Sequence, residues 1–278
     1  MARIEVNGIV LNVETVGSGP PLLLLHGFTG SNATWAPFLE AWCDFTTVCV
    51  DFIGHGGSDS PAEASRYAMS ACLDDLCAAL DALSIEKTAV LGYSMGGRVA
   101  LQLAVKRPQR VSALILVSAS PGIEDSTERA ERVKADEALA GRIEAEGIKA
   151  FVDYWQSIPL WASQVSLSGE KRLALRRGRL QNSIVGLTNS LCGMGAGAQD
   201  YVFDRLGEVR VPALLIAGAL DQKYRDLALQ MAARMLAAES RIIEGAGHAT
   251  HLERPDEFAE AVSAFMRRVS TKPEGAFK

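Results

Sequence analysis

Short apolar runs alternate with segments of helical periodicity along most of this 278-residue chain. Runs rich in β-branched and apolar residues, bounded by glycine, proline or polar residues, predict strands. These runs fall at residues 11–16, 21–26, 46–51, 88–92, 111–117, 213–217 and 241–243. Helical periodicity lies between them, at about residues 69–83, 95–106, 225–237 and 255–269. Such alternation predicts an α/β fold in which helices cover both faces of a mostly parallel, doubly wound sheet.

The alternation stops between about residues 120 and 205. The charged stretches ERAERVKADEALAGRIEAEG and EKRLALRRGRLQN have helical character there, and no clear strand separates them. The strand and helix pattern returns at Val211. We therefore predict a core built from residues 1–119 and 206–278, with residues 120–205 inserted as a helical cap. The core sheet is expected to have about eight strands.

Composition and charge narrow the class of protein. Apolar residues make up 48% of the chain and charged residues 22%, which is typical of a globular protein with a sizeable core. The net charge of −5 has the wrong sign for general attraction to nucleic acid or to an anionic membrane. The N-terminal segment lacks the basic start and apolar block of a signal peptide, and apolar runs such as residues 22–25 are far too short to cross a bilayer. Five irregularly spaced cysteines fit a reducing compartment, so we expect a cytoplasmic protein without a nucleic-acid partner or membrane insertion.

The stretch GYSMGGR, residues 92–98, places a serine between a predicted strand and a predicted helix. A G-x-S-x-G sequence at such a junction is typical of a sharp turn that exposes the serine hydroxyl. The turn falls at the carboxyl edge of the sheet, where open α/β sheets bind their ligands. We therefore interpret Ser94 as a candidate catalytic residue. The arginine that follows the glycines, Arg98, indicates that an anionic group is held beside it.

A serine hydroxyl is a weak nucleophile or base unless a histidine and an orienting carboxylate assist it. In this type of fold the expected order along the chain is serine, acid, histidine. Asp221 follows the predicted strand ALLIAGA, and His248 follows the Gly-Ala-Gly turn after the last predicted strand. We assign Asp221 and His248 to these roles. His251 is the alternative histidine and Asp226 the alternative acid, and Asp221 could instead be a surface or helix-capping carboxylate.

The stretch LLLLHGFTGS, residues 22–31, predicts a strand that ends in a glycine-rich loop close to the serine. The backbone amides of Phe28 and Met95 are therefore predicted to form an oxyanion hole. His26 and His55 are interpreted as structural loop residues. We expect no metal or cofactor, since no set of cysteines and histidines has the spacing of zinc ligands.

Several stretches together resemble the α/β-hydrolase superfamily over essentially the whole predicted core: LLLLHGFTGS, DFIGHGGSD, LGYSMGGR, AGALDQKY and GAGHATHLERPDEF. The cap stretches SASPGIEDSTERAERVKADEALA, FVDYWQSIPLWASQ and RLQNSIVGLTNSLCGMGAGAQ, together with Arg98, resemble a narrower family. That family is the 2-succinyl-6-hydroxy-2,4-cyclohexadiene-1-carboxylate synthases of menaquinone biosynthesis. The resemblance implies a carbon–oxygen lyase that eliminates pyruvate from a small tricarboxylate, 2-succinyl-5-enolpyruvyl-6-hydroxy-3-cyclohexene-1-carboxylate.

The resemblance also implies roles for individual residues. Ser94 would act as the base that removes a ring proton, polarised by His248, which Asp221 orients. The implied substrate-binding residues are Tyr93, Arg98, Arg132, Trp155 and Arg179. Arginine suits such a substrate because its planar guanidinium can donate two parallel hydrogen bonds to a carboxylate.

Other interpretations stay open at this point. Arg98 could be a surface ion-pair residue, Arg132 and Arg179 could belong to a solvated helix face, and Trp155 could be part of the cap core. Three arginines fall within the stretch RRGR, so the role of Arg179 could belong to Arg176 or Arg177. Other charged residues of this stretch, Lys171 and Arg172 among them, are interpreted as solvated. The alternative functions are a serine hydrolase of esters or carbon–carbon bonds, which needs the same triad but no arginine cluster, and a binding module with a decayed site.

Overall fold

A computed structural model of the chain describes residues 2–270. The predicted core segments include residue 1 and residues 271–278, which lie outside the described residues. Within the described part of the chain, no helix combines the length and the apolar character needed to cross a membrane. The cysteines of this part are all free.

Residues 2–270 contain one sheet of eight strands. The strands are β1 (Ala2–Val6), β2 (Ile9–Val16), β3 (Pro21–Leu25), β4 (Thr46–Val50), β5 (Thr88–Tyr93), β6 (Val111–Val117), β7 (Ala213–Gly218) and β8 (Ala238–Ile243). Their order across the sheet is β1-β2-β4-β3-β5-β6-β7-β8. The pairs β1–β2 and β2–β4 are antiparallel, and all the others are parallel. The mostly parallel sheet was predicted, whereas β1 was not.

The described chain has eight α-helices: the four predicted for the core, three in the inserted segment and a short helix at Thr250–Glu253 that was not predicted. They are α1 (Met69–Ala82), α2 (Met95–Lys106), α3 (Ser126–Ser157), α4 (Gly169–Leu180), α5 (Ile184–Met194), α6 (Gln222–Arg234), α7 (Thr250–Glu253) and α8 (Pro255–Ser270). The predicted helix at residues 225–237 begins and ends three residues too late, because Asp221 caps α6.

Alternate residues of the central strands face two different cores. Leu23 and Leu25 of β3 pack with residues of α1, α2 and α6. Leu22 and Leu24 pack on the other face with Trp35, Trp42 and residues of α8. Because side chains of a strand alternate between the faces of a sheet, a strand that is covered on both sides reads as a continuous apolar run. The run LLLL is therefore the signature of a central parallel strand.

The segment between β6 and β7 carries α3, α4 and α5, and its described residues contain no strand. Each helix begins at a side-chain cap: Asp125 accepts from the amide of Glu128, Ser168 from Lys171 and Ser183 from Gly186. The long helix α3 is interrupted at Gly147, whose φ of 80° is non-helical. Buried residues of α3 and α5 form a third core, against which Phe28 of the core loop packs. The helical character of this insert was predicted, and its exact division from the core stays a prediction.

Candidate active site

Ser94 lies in the turn between β5 and α2. Its φ of 52° and ψ of −108° are strained values for a residue with a side chain, and such strain is common at functional sites. The flanking glycines make the turn possible. A Cβ on Gly92 would lie 2.2 Å from the carbonyl oxygen of Gly96, and one on Gly96 would lie 2.3 Å from that of Leu25. The sequence therefore forms a tight strand-to-helix turn that presents the serine at the carboxyl edge of the sheet.

Three side chains from separate loops form a hydrogen-bonded chain. His248 Nε2 lies 3.0 Å from Ser94 Oγ, and His248 Nδ1 lies 2.7 Å from Asp221 Oδ2. Since an ionised carboxylate only accepts, Nδ1 carries the proton and Nε2 can accept the serine hydroxyl proton. Asp221 also accepts from the amide of Tyr224 at 3.4 Å, which fixes the carboxylate at the N-terminus of α6. The structure thus brings together the serine, histidine and acid that the sequence singled out.

The alternative histidine and acid lie elsewhere. His251 is buried, with its ring 4.4 Å from that of Tyr93 and 5.7 Å from that of Trp35, and its Nδ1 has no partner among the described residues. Burial lowers the pKa of His251 to about 3. Asp226 accepts from the neighbouring Arg225 at 3.0 Å. Neither side chain belongs to the hydrogen-bonded chain of Ser94.

The loop that carries His248 is held from both sides by polar side chains. Glu253 is buried, and its carboxylate accepts from the amide of Gly247 at 2.6 Å and from that of Ala249 at 3.3 Å. Ser118 Oγ donates to the carbonyl of His248 at 2.8 Å. These bonds fix the backbone immediately before, at and after the histidine. Sequence reasoning missed Glu253, although its position five residues after His248 was visible.

The backbone loop after β3 passes close to Ser94. A Cβ on Gly27 would lie 3.5 Å from Ser94 Cβ but only 2.8 Å from Cε1 of the Tyr93 ring, so a side chain at this position would require that ring to move. The next amide belongs to Phe28. Met95 is the first residue of α2, so its amide has no acceptor within the helix. An oxyanion hole formed by the amides of Phe28 and Met95 stays a prediction, and the position of the loop favours it.

His26 and His55 are buried beneath that loop. His26 Nε2 accepts from the amide of Phe52 at 3.1 Å, and Nδ1 lies 2.8 Å from the carbonyl of Gly27. Burial lowers the pKa of His26, and it lowers that of His55 to about 3. Both rings are therefore neutral at physiological pH. The bonds of His26 tie the β3 loop to the loop after β4, as a structural residue would.

Arg98 is partly buried between α2 and the end of the insert. Its Nη1 donates to the carbonyl of Met194 at 2.6 Å and to Gln199 Oε1 at 3.1 Å. Desolvation lowers its pKa to about 10, against the opposing effects of Tyr224 and Asp136. Arg98 lies on the first turn of α2, next to the serine turn, as predicted from the sequence. Its hydrogen bonds to Met194 and Gln199 also give it a structural role.

Arg132 lies on α3, and its Nε donates to both carboxylate oxygens of Asp136 at 3.0 Å. Arg98 and Tyr224 are the other charged or titratable groups that contribute to the electrostatics of this region. Burial raises the pKa of Asp136, and Arg132 is the main group that opposes this. In the described part of the chain, Arg132 is therefore paired with Asp136, while the hydrogen bonds of Arg98 go to neutral acceptors.

Of the arginines near the end of α4, Arg179 is the one that the structure buries, at 7% exposure. Its guanidinium carbon lies 5.3 Å from the centre of the Trp161 ring. Arg176 pairs with Asp153 and with Gln156, and Arg177 is exposed. An unpaired buried guanidinium is more consistent with ligand binding than an ion-paired or exposed one, so the placement favours Arg179 over its two neighbours.

Aromatic rings surround His248. Its ring centre lies 5.6 Å from Tyr93, 5.6 Å from Trp161 and 4.6 Å from Tyr224. Trp155 lies next to Trp161 at 5.9 Å, and its Nε1 is buried without a partner in the described chain. Burial raises the pKa of Tyr93 well above its usual value, so its hydroxyl is neutral. Trp161 and Tyr224 were not predicted as site residues, although both lie in stretches that carry the family resemblance, FVDYWQSIPLWASQ and AGALDQKY.

No group of three or more metal-binding side chains occurs within residues 2–270. The hydrogen-bonded serine, histidine and aspartate, the strained serine turn and the mostly parallel sheet together define a serine-centred site of the hydrolase type. The sequence profile of the α/β-hydrolase fold matches residues 20–255. The chain therefore belongs to the α/β-hydrolase family.

Its relatives narrow the comparison. The chain is 40% identical over 256 residues to the putative 2-succinyl-6-hydroxy-2,4-cyclohexadiene-1-carboxylate synthase of Bacillus subtilis, covering 92% of this chain and 93% of that one. It is 30% identical to the synthase of the same name from Escherichia coli O1:K1, over 89% of this chain and 94% of that one. Among solved structures it resembles MenH from S. aureus, with a TM-score of 0.89, 31% identity and coverage of 94% and 99%. A thermophilic esterase from Thermogutta terrifontis also resembles it, with a TM-score of 0.86, 26% identity and 97% coverage of both chains.

Proposed function

We propose that this protein is a pyruvate-eliminating lyase. It converts 2-succinyl-5-enolpyruvyl-6-hydroxy-3-cyclohexene-1-carboxylate to 2-succinyl-6-hydroxy-2,4-cyclohexadiene-1-carboxylate and pyruvate. The names of the relatives from Bacillus subtilis and Escherichia coli support this assignment. A cytoplasmic location is part of the proposal, since the substrate is a small polar metabolite.

The observation that carries the proposal is the pair of guanidinium groups near the serine. Within residues 2–270, the hydrogen bonds of Arg98 go to neutral acceptors, with Asp136 as a more distant negative charge, and Arg179 is buried without an acidic partner. Keeping unpaired cations out of water is costly, so such groups favour an anionic ligand. A substrate with three carboxylates meets this requirement. A neutral ester does not.

The first step is removal of the acidic ring proton next to the succinyl ketone. His248 Nε2 accepts the hydroxyl proton of Ser94, and Ser94 Oγ takes the proton from the ring carbon. Asp221, 2.7 Å from Nδ1, keeps the histidine in the required tautomer and stabilises the imidazolium that forms. No water enters the reaction and no bond to the serine is made.

The second step is loss of the leaving group. Proton removal leaves an enolate oxygen, which the amides of Phe28 and Met95 would stabilise by hydrogen bonds. The enolate electron pair re-forms the ketone and makes a ring double bond between C2 and C3. The electron pair of the C3–C4 double bond moves to C4–C5, and the carbon–oxygen bond between C5 and the enolpyruvyl group breaks with its electrons going to that oxygen. The departing enolpyruvate takes up a proton and becomes pyruvate. Carboxylates held by Arg98, Arg132 and Arg179, with Tyr93 and Trp155 as aromatic walls, would keep the breaking bond aligned.

The second candidate function is a serine hydrolase of esters or carbon–carbon bonds. The hydrogen-bond distances that link Ser94, His248 and Asp221 would suit nucleophilic attack by the serine equally well. The structural similarity to an esterase favours this second function. The two candidates differ in their chemistry, because hydrolysis passes through an acyl-enzyme and elimination does not.

The deciding experiment supplies the purified protein with the enolpyruvyl substrate and, separately, with a panel of simple esters. Pyruvate release is followed with a coupled dehydrogenase assay. The intact mass of enzyme quenched during turnover is measured by mass spectrometry. We expect rapid pyruvate release, slow or absent ester turnover and a chain of unchanged mass. Ester turnover without pyruvate release, or a substrate-derived adduct on Ser94, would favour the hydrolase.

A further inference from the structure

A cavity of about 250 Å³ lies in the insert, next to the aromatic rings around His248. Its polar lining includes Gln164, Arg172 and Arg179, and its apolar lining includes Trp161, Val165 and Leu175. Complete sites for small molecules usually have volumes of about 300–1,000 Å³. This cavity therefore suits one arm of a substrate rather than the whole molecule.

The lining has an excess of hydrogen-bond donors. Gln164 is 7% exposed, and its Nε2 is buried without an acceptor among residues 2–270. Trp161 Nε1 is in the same situation. Arg179 is also 7% exposed, and in the described chain neither it nor Arg172 has a side-chain hydrogen bond or an acidic partner. Four donor groups thus belong to residues that line one cavity, and within residues 2–270 none of the four has an acidic partner.

This arrangement has a direct physical consequence. Buried donors and a buried cation lose their hydration and gain nothing in return unless a ligand supplies acceptors and negative charge. Burial lowers the pKa of Arg179, and Tyr93 is the group that opposes this effect. A carboxylate would satisfy both needs, since it accepts several hydrogen bonds and neutralises the guanidinium.

We propose that this cavity is a subsite for the carboxylate of the succinyl arm, with Gln164, Trp161 and Arg172 as binding residues beside Arg179. The identity of the arm rests on the proposed function. The position fits, because the ring of Trp161 lies 5.6 Å from that of His248 and 5.3 Å from the guanidinium of Arg179. The succinyl carboxylate stands two methylenes beyond the ketone next to which the proton is removed, so it must lie away from Ser94.

The other lining residues agree with this ligand. Val165 and Leu175 offer apolar surface for the two methylenes. Arg98 and Arg132 have different neighbours, Met194 and Asp136, at the end of α5 and on α3. These two arginines would bind the other two carboxylates of the substrate, those of the ring and of the enolpyruvyl group. One end of the substrate is then recognised in the cavity while elimination takes place at the serine.

Free succinate is the probe that tests the subsite without any turnover. Its affinity for the full chain is measured by isothermal titration at low ionic strength, with neutral dimethyl succinate as the comparison ligand. We expect saturable binding of succinate and none of the diester. Gln164→Met keeps the volume and removes the amide, so it should weaken succinate binding by about 10-fold or more. Arg172→Met should weaken it by about 2- to 5-fold, since this arginine is exposed.

Arg177→Met is the matched control. Arg177 is an exposed arginine on the same helix and does not line the cavity, so its replacement should leave succinate affinity unchanged. Ser94→Ala should bind succinate like the unaltered protein. With the enolpyruvyl substrate, Gln164→Met should raise KM and leave kcat within about 2-fold, because the contact is equal in ground and transition states.

The subsite and the proposed function can fail separately. If the protein releases no pyruvate but succinate binds and responds to Gln164→Met and Arg172→Met, the function is wrong and the carboxylate subsite stands. The subsite is wrong if succinate does not bind saturably, if the diester binds equally well, or if Arg177→Met costs as much as Arg172→Met. The comparison of the two ligands uses the unaltered chain, so it holds even if a variant fails to fold.

Discussion

Arg98 Nη1 donates a hydrogen bond to the carbonyl of Met194 at 2.6 Å, and this bond joins the first turn of α2 to the last residue of α5. The residue that stands four positions after Ser94 is thus also a link between the core and the insert. Its charge is held where the two parts meet. A change at this position should therefore affect both stability and activity.

Arg98→Ala tests this double role. Hydrogen bonds to charged groups contribute about 1.5–3 kcal/mol, so the free energy of unfolding in urea should fall by roughly that amount. If Arg98 also holds a substrate carboxylate, kcat/KM for the tricarboxylate should fall by about 10- to 150-fold in the folded protein. Arg98→Lys should restore only part of the activity, because a point charge cannot replace the planar fork.

The control for this prediction is Arg205→Ala. Arg205 forms a surface ion pair with Glu208, and exposed pairs of this kind contribute little to stability because water and salt screen them. Both measurements should stay near the values of the unaltered protein. If Arg98→Ala lowered stability but left kcat/KM of the folded fraction unchanged, Arg98 would be a structural residue only, and the case for an anionic substrate would rest on Arg179.

Ser94→Ala and His248→Ala should each reduce kcat by about 10²- to 10⁴-fold, which is the usual contribution of general acid–base catalysis. The double variant should lose little more than either single one, because both side chains act on the same proton transfer. Pyruvate release and urea unfolding would be measured for all three. Near-normal activity in either single variant, or losses that multiply in the double variant, would contradict the assigned roles.

The fold was predictable where one local pattern decides it. The runs at β3, β5, β6 and β7 are apolar without interruption because both faces of the sheet are covered, and their bounds agree with prediction to within one or two residues. β1 was missed because it is an edge strand whose side chains are mostly exposed. The Asn7-Gly8 pair after it was the available signal: both residues have positive φ, as a tight hairpin turn requires.

The site divides in the same way. Ser94, Asp221 and His248 were predictable because each lies one to five residues after the end of a strand, at one edge of the sheet. Trp161 and Gln164 were not assigned to the site, although both lie in the stretch FVDYWQSIPLWASQ, because they reach it through the packing of the insert on the core. Arg172 was interpreted as solvated from its charged surroundings in sequence, and the structure has it exposed, although it also lines the cavity.

Glu253→Gln tests whether the bonds around His248 matter for the reaction. The carboxylate accepts from the amides on either side of the histidine, and a glutamine has only one carbonyl oxygen to offer. We expect kcat to fall by about 10- to 100-fold as the ring loses its alignment, with little change in KM.

A purely structural role of Glu253 would give a different pattern. The free energy of unfolding would fall, but kcat and KM of the remaining folded enzyme would not change. Glu260→Gln, an exposed carboxylate on α8, is the control and should change neither stability nor kcat. An unchanged kcat in folded Glu253→Gln would show that the two amide bonds do not position His248 for catalysis.

The last prediction concerns the buried histidines and the pH dependence of stability. Burial lowers the pKa of His55 and of His251 to about 3, and it also lowers that of His26. In the unfolded chain these groups titrate near about 6.5. Between these values the unfolded state binds more protons than the folded one, so stability rises with pH across the window. The stability that these neutral histidines contribute is fully present above about pH 6.5 and is lost as the pH falls towards their folded-state pKa values.

Urea unfolding between pH 7.5 and 5 should show this loss, because most carboxylates stay ionised in that range in both states. Each histidine adds up to about 1.4 kcal/mol per pH unit to the slope. Asp136 acts in the opposite direction, since burial raises its pKa. The variant His251→Phe keeps a ring against Tyr93 and Trp35 but cannot bind the proton, so its slope should be smaller by up to about 1.4 kcal/mol per pH unit. A free energy of unfolding that does not change from pH 7 to 5, or an equal slope in His251→Phe, would mean that these rings are accessible to protons in the folded protein.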